Sequence, residues 1–261
     1  MSRPLVGLVL LCTLARSAAG GIGLPPENAT QGKPEKSGKT EASAPGAAAL
    51  AEDKGKFRLL LDGQPVGSEE FEISRNGQEW TARGTTEIRV FSASGSSAAR
   101  SPAGGTMQVR GQLRLAADGT PLRYEWSAEG QKKASATVEF QRGTAKIVLQ
   151  LEGTQPFMQE LTFGSPRVLI LDNNLYHHYA VLARLYDWNT KGTQTFPVLI
   201  PQEMTPGTLT VESAGLQNVD GASLETLRVR TADLEIYLYL DAGHRLVRLA
   251  VPASKALVLR E

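Results

Sequence analysis

Cysteine is almost missing from this chain: among 261 residues there is only Cys12. It lies in an N-terminal apolar stretch, so a chain processed after that stretch has no disulfide, no thiolate nucleophile, no thiolate metal ligand and no redox pair. Histidine is nearly as scarce, limited to His177, His178 and His244. His177 and His178 are neighbours, and neighbours on a helix point about 100° apart, whereas metal-binding pairs favour i and i+4. No metal site is therefore expected. His244 falls in the turn Asp241-Ala242-Gly243-His244 and reads as a turn residue. There is no Walker A loop, no strand-associated Gly-x-Gly-x-x-Gly, no His-Glu-x-x-His and no Gly-x-Ser-x-Gly elbow. No cofactor is expected, and a non-catalytic protein is the simplest expectation. Asp172 and Asp187 could suggest a carboxylate pair, but the helix expected between them is about 22 Å long, too far apart for either glycosidase geometry.

A strong charge of one sign is absent too. Without Arg3 and Arg16 of the N-terminal stretch, 26 basic residues face 27 acidic ones, a net charge of −1. No basic stripe stands out, which argues against nucleic acid as a partner and against charge-driven binding to anionic lipid.

What the chain does have begins at its start. Met1-Ser2-Arg3 precedes an apolar run from Leu5 to Ala15, then Ser17-Ala18-Ala19. A basic start, an apolar core and a small-x-small end make a secretory signal peptide, with cleavage expected after Ala19 and the mature chain periplasmic or secreted. The run is about half the ~20 residues of a membrane-spanning helix, so no transmembrane helix is expected in the mature chain. Leu11 stands where a lipobox before Cys12 would need a small residue. Residues 20–55 are rich in Ala, Gly, Pro, Ser, Thr, Lys and Glu with few large apolar side chains. They read as a disordered leader that cannot bury enough surface to offset its ordering entropy.

Residues 56–261 read as one β-rich domain. Asp62-Gly63, Asn76-Gly77, Asp118-Gly119 and Arg142-Gly143 supply turn dipeptides between extended stretches. Phe57, Leu59 and Leu61 share one strand face, as do Leu234, Ile236, Leu238 and Leu240, opposite Tyr237 and Tyr239. A small-residue loop is expected from about Phe91 to Gly105. The period changes once, in RVLILDNNLYHHYAVLARLYDW, where Leu175, Tyr179, Leu182 and Tyr186 mark one helical face, with Asp172 as the expected N-cap. His177 and Arg184 fall opposite that face, and His178 leans toward it. The expected fold is mainly β: a curved antiparallel sheet, half-barrel or open barrel, with one amphipathic helix packed on it.

Three stretches carry a resemblance: LLLDGQPVGSEEFEI, DNNLYHHYAVLARLYDW and YLDAGHRLVRLAVP. Their layout resembles exported bacterial β-sheet proteins of unknown function, with an architecture like the half-barrel of the Lol lipoprotein carriers. The resemblance covers about Lys56 to Glu261. It implies a periplasmic protein with a concave apolar face under the helix, and it brings no catalytic residues. Tyr176, His178, Tyr179, Leu182, Tyr186 and Trp188 are the candidate ligand-binding residues, because tyrosine and tryptophan suit the rim of an apolar pocket. The leading expectation is a non-catalytic cell-envelope protein that binds a lipid or other apolar ligand between sheet and helix. A structural or protein-interaction module of the envelope with no ligand is the second, using the Tyr237/Tyr239 face. An envelope-polymer hydrolase is the third.

Overall fold

The structure, a computed structural model, describes residues 50–89, 105–231 and 234–261. The expected signal peptide, the leader up to residue 49 and the small-residue loop over 90–104 lie outside the described residues. Regular structure begins slightly before Lys56, with Leu50 buried and a strand starting at Asp53.

The first run of strands is an up-and-down meander: β1 (Asp53–Leu61), β2 (Gln64–Asn76), β3 (Glu79–Arg89), β4 (Thr106–Ala116), β5 (Pro121–Glu129), β6 (Ala134–Gln141), β7 (Thr144–Leu151) and β8 (Phe157–Thr162). A two-residue strand β9 (Leu169–Ile170) then leads to the helix α1 (His177–Leu185). A second meander follows: β10 (Gln194–Ile200), β11 (Thr205–Val219), β12 (Ala222–Arg230), β13 (Glu235–Leu240), β14 (Leu246–Val251) and β15 (Ala256–Arg260). The last strand pairs with the first, Phe57 against Arg260 and Leu61 against Ala256, and so merges both meanders into one 15-stranded sheet with β8 and β9 at its edges. All neighbours are antiparallel except β9 and β10.

The turn chemistry explains why the hairpins close. Asp62-Gly63, Arg142-Gly143 and Asp220-Gly221 each hold both residues at positive φ. That geometry matches a two-residue turn to the twist of its strands.

Chain length dictates the curvature. Laid flat at ~4.8 Å per strand, the edges would stand roughly 65 Å apart. Only residues 163–168 join β8 to β9, and six extended residues reach about 20–25 Å. The sheet therefore rolls up until its edges approach. The alternation along each strand sorts the two faces. Ile73, Ala82, Leu113, Tyr124, Val138 and Ile147 form one buried row across six strands. Outward residues are paired charges such as Arg114–Glu79 and Lys146–Glu160.

The helix corrects two expectations. It packs on the sheet as expected, but the polar side expected at His177 and Arg184 is largely covered: every helical residue except Arg184 is buried. It contacts β3 and β14, far apart in the sheet order, so it fills the roll rather than covering one side. A helix buried all round needs apolar or paired residues all round. It also starts five residues later than Asp172. Asp172 is not its N-cap: Tyr176 holds that position and its own side chain makes no capping bond. Residues 172–175 instead form a tight turn closed by an Asp172–Leu175 bridge, with Asn174 at positive φ.

Candidate functional site

The most unusual chemistry lies where α1 begins. Glu69 on β2 is in phase with Phe71 and Ile73, so it points into the core. It is fully buried, and its carboxylate does the work expected of Asp172. Oε2 accepts the Tyr176 N–H at 2.8 Å and Oε1 accepts the His177 N–H at 3.4 Å. The helix N-terminus is thus capped by a strand 107 residues away. Two exposed helix donors and the positive end of the helix dipole meet a carboxyl group there.

Oε1 of Glu69 also lies 2.5 Å from His177 Nδ1. His177 was expected on the polar face; it is instead wholly buried, because its partner comes from the sheet. Its ring is parallel to Phe71, with centroids 6.4 Å apart, and meets the His178 ring edge-on at 4.4 Å. A second group adjoins. Asp172 accepts hydrogen bonds on Oδ2 from the Tyr124 hydroxyl and from Gln202 Nε2. Tyr124 is edge-on to His178, with centroids 5.5 Å apart.

Burial decides the charge of this cluster. It pushes Glu69 up to about 8, against the lowering effect of the two backbone donors. It pushes His177 down to about 3. Asp172 is raised well above the usual carboxylate range, and His178 is lowered well below that of a free imidazole, both chiefly by burial. A neutral carboxyl next to a neutral imidazole avoids placing charge in the core. Glu69 Oε1 and His177 Nδ1 share one proton across their 2.5 Å contact. The arrangement holds a proton in place and anchors a helix.

Two glycines make the room. Phe71, Gly84, Gly111 and Trp126 are successive cross-strand partners on β2 to β5. A Cβ at Gly84 would lie 2.5 Å from His177 Nδ1, and one at Gly111 would lie 2.4 Å from Leu175 Cδ1. The helix start is seated in the notch these residues leave open.

The six residues expected to bind a ligand are split between two places. Tyr176, His178, Tyr179 and Leu182 are buried along the helix. Tyr176 and Tyr179 also edge a small pocket beside Asp172, walled by Val198, Leu209, Val229 and Ile236. Tyr186 and Trp188 lie at the other end. The Tyr186 hydroxyl donates to Gly192 O at 2.9 Å, and the Trp188 ring N–H donates to Ala183 O at 3.0 Å. Trp188 stacks on His244 at 3.9 Å and 9°, while His244 occupies a left-handed turn position as its place in the sequence suggested. Glu69, Tyr124, Gly84 and Gln202 escaped the sequence reading. Of these, Glu69 carried a signal, its phase with Phe71 and Ile73. Among the described residues no three His, Asp or Glu side chains cluster as a metal site, and no helix is long and apolar enough to cross a membrane.

The geometry defines a β-barrel-like protein with a helix in its interior. No protein-family model matches the chain, and no curated protein matches it. Among solved structures, the chain is similar to a β-barrel-like protein of a domain of unknown function, DUF1849, from Brucella abortus. The TM-score is 0.51 at 12% identity, over 81% of this chain and 95% of that one. The likeness supports a rolled β-sheet protein whose function is not known, and it concerns the fold alone.

Proposed function

We propose that this chain is an exported, non-catalytic cell-envelope protein that works through its outer surface as a protein-interaction module. The observation that carries this reading is the filled interior. Ligand carriage between sheet and helix needs space, and there Leu182 and Leu175 are fully buried, with Tyr176 only 2% exposed. Glu69 and His177 Nδ1 are engaged in holding the helix start, and Tyr124 and Gln202 in holding Asp172. Export rests on the basic start and apolar run of the first nineteen residues.

The outer face offers a fitting surface. On β13, Tyr237 and Tyr239 point outward with ring centroids 6.5 Å apart. Arg228 pairs across from Tyr237, and the Arg248 guanidinium lies 5.7 Å from the Tyr239 ring centre. Tyrosine and arginine are the side chains that most often anchor protein interfaces.

Native mass spectrometry of the exported protein, followed by challenge with acyl chains, tests the reading. The expected result is the bare chain mass and no uptake. A discrete added mass that extracts as lipid would overturn it. A photo-reactive group at position 239 should give one defined adduct in intact cells, lost on Arg248→Glu.

A further inference from the structure

The sheet ends in a strand that is not protected as edge strands usually are. β8 pairs only with β7 and stands at the end of the sheet order. It exposes apolar side chains on both faces: Met158 is 74% exposed on the outer face and Phe157 53% exposed on the inner one. Val148 and Leu151 on β7 extend the exposed apolar surface. The opposite edge differs. β9 has two residues, both buried, so among the described residues only β8 presents an open edge. An unprotected apolar edge is a template for another strand.

From this edge we propose that β8 pairs antiparallel with β8 of a second copy, about a two-fold axis through Gln159. The backbone phase permits it. The Phe163 N–H is bonded to Gly143 O, in continuous register with β7 and β8. By alternation, Phe157, Gln159 and Leu161 direct their backbone groups toward β7. Met158, Glu160 and Thr162 direct theirs to the open side.

The side chains select the register. A two-fold axis perpendicular to the sheet keeps outer residues with outer ones, so only every second register is in phase. Centring on Gln159 places Phe157 opposite Leu161 of the second copy on the inner face, and Met158 opposite Glu160 on the outer face. Gln159 then meets itself, and an amide can both donate and accept. Centring on Glu160 would set two carboxylates face to face, and centring on Met158 would shorten the pairing and oppose Phe157 to an amide. Glu160 keeps its ion pair with Lys146 at 3.8 Å in the favoured register. Because one edge is open and the other is not, the association closes at two copies instead of growing into a fibre.

Light scattering across a wide concentration range, on the chain with Cys12→Ser, tests this. The expected species is a dimer. Met158→Pro removes an N–H that faces the open side, a change an edge strand tolerates, and should give a monomer with an unchanged circular dichroism spectrum. Gln159→Cys should form a covalent dimer on mild oxidation. Directly opposed residues of this type have Cα atoms about 4.5 Å apart, within disulfide range. Glu160→Cys, opposed to Met158, should cross-link far less. A monomer at every concentration, a dimer indifferent to a folded Met158→Pro variant, or no cross-link at Gln159→Cys would each overturn the proposal. If Met158→Pro fails to fold, the two cysteine variants decide.

Discussion

On the β1–β8 side, the start of α1 meets Glu69, Tyr124 and a glycine notch. On the β9–β15 side the same turn meets Val198, Leu209, Val229 and Ile236. The first wall holds the helix by oriented bonds and leaves little freedom in where it sits. The second bonds the turn ahead of the helix, Gln202 to Asp172 and Asn173 to Glu203, and faces the helix start mainly with apolar side chains. Among the described residues, buried Asp53, Glu69 and Thr86 belong to the first meander, whereas the second contributes only Thr226. A directional wall fixes register, because a misplaced polar group loses its partner and keeps its desolvation penalty. An apolar wall supplies cohesion in proportion to the area it covers and tolerates small shifts. One helix thus has a positioning side and a cohesive side.

The sharpest way to break the contrast is a methyl group on each wall. Gly84→Ala puts its Cβ 2.5 Å from His177 Nδ1 and 2.6 Å from Glu69 Oε1. Neither group can retreat without losing its bond, so the expected cost is about 3 kcal/mol, the upper end for overpacking. In Gly207→Ala, on the second meander, the methyl meets only Val198 Cγ1 at 3.3 Å. A branched side chain can yield there, and the expected cost is below about 1 kcal/mol. Urea unfolding of both variants measures the difference, and equal costs would refute it. Leu182→Ala then probes cohesion. Its side chain is fully buried, and the expected loss is about 2–4 kcal/mol with an unchanged spectrum, since a cavity costs packing but breaks no bond.

The same contrast explains what could be read from the sequence. Strand phase, the turn dipeptides and a single helix were legible because each is local: Asp62-Gly63 demands positive φ whatever surrounds it. β8 was not legible. Its outer residues and Phe157 are exposed and its other inner residues only half-covered, so FMQELT carries no clean apolar alternation. The helix environment was hidden for another reason. His177 and Asp172 look like a polar face and a cap when only the helix is considered. Their real partners, Glu69 and Tyr124, lie 108 and 48 positions away. A polar residue in phase with apolar ones is the one trace such pairings leave, and in this chain that residue is Glu69.

Charge state sharpens the comparison further. As pH rises from 4.5 to about 8, the unfolded chain releases the Glu69 proton and the folded chain keeps it. Stability therefore falls across that window, by at most about 1.4 kcal/mol per pH unit. As pH falls from 6.5 to about 3, the unfolded chain protonates His177 and the folded chain does not. Stability then falls toward acid. Between 4.5 and 6.5 the two slopes cancel and leave a plateau. Glu69→Gln keeps an acceptor for Tyr176 N–H and a donor to His177 Nδ1, so it should cost no more than about 1 kcal/mol at neutral pH. It should weaken the alkaline fall and leave the acid fall intact. Asp172, raised in the same direction, supplies the remainder. A strongly destabilised Glu69→Gln variant with an unchanged alkaline limb would show that Glu69 is ionised in the fold.

The smallest effect is expected at the far end of the helix, where no fully buried carboxyl group grips it. Trp188 is held there by its bond to Ala183 O, an edge contact with Tyr186 and the His244 ring stacked on its face. His244→Ala removes only the last. The hydrogen bond and the Tyr186 contact remain, so the helix end should stay in place. The expected cost is about 0.5–1 kcal/mol, the size of one aromatic pair. Trp188 fluorescence should shift to the red as water reaches the uncovered face, and above pH 6.5, where His244, lowered by burial, stays neutral, the cost should not vary across the window in which Glu69 titrates. A larger loss, or one that follows that window, would mean that the two ends of the helix are coupled through its length and that positioning is not confined to its first turn.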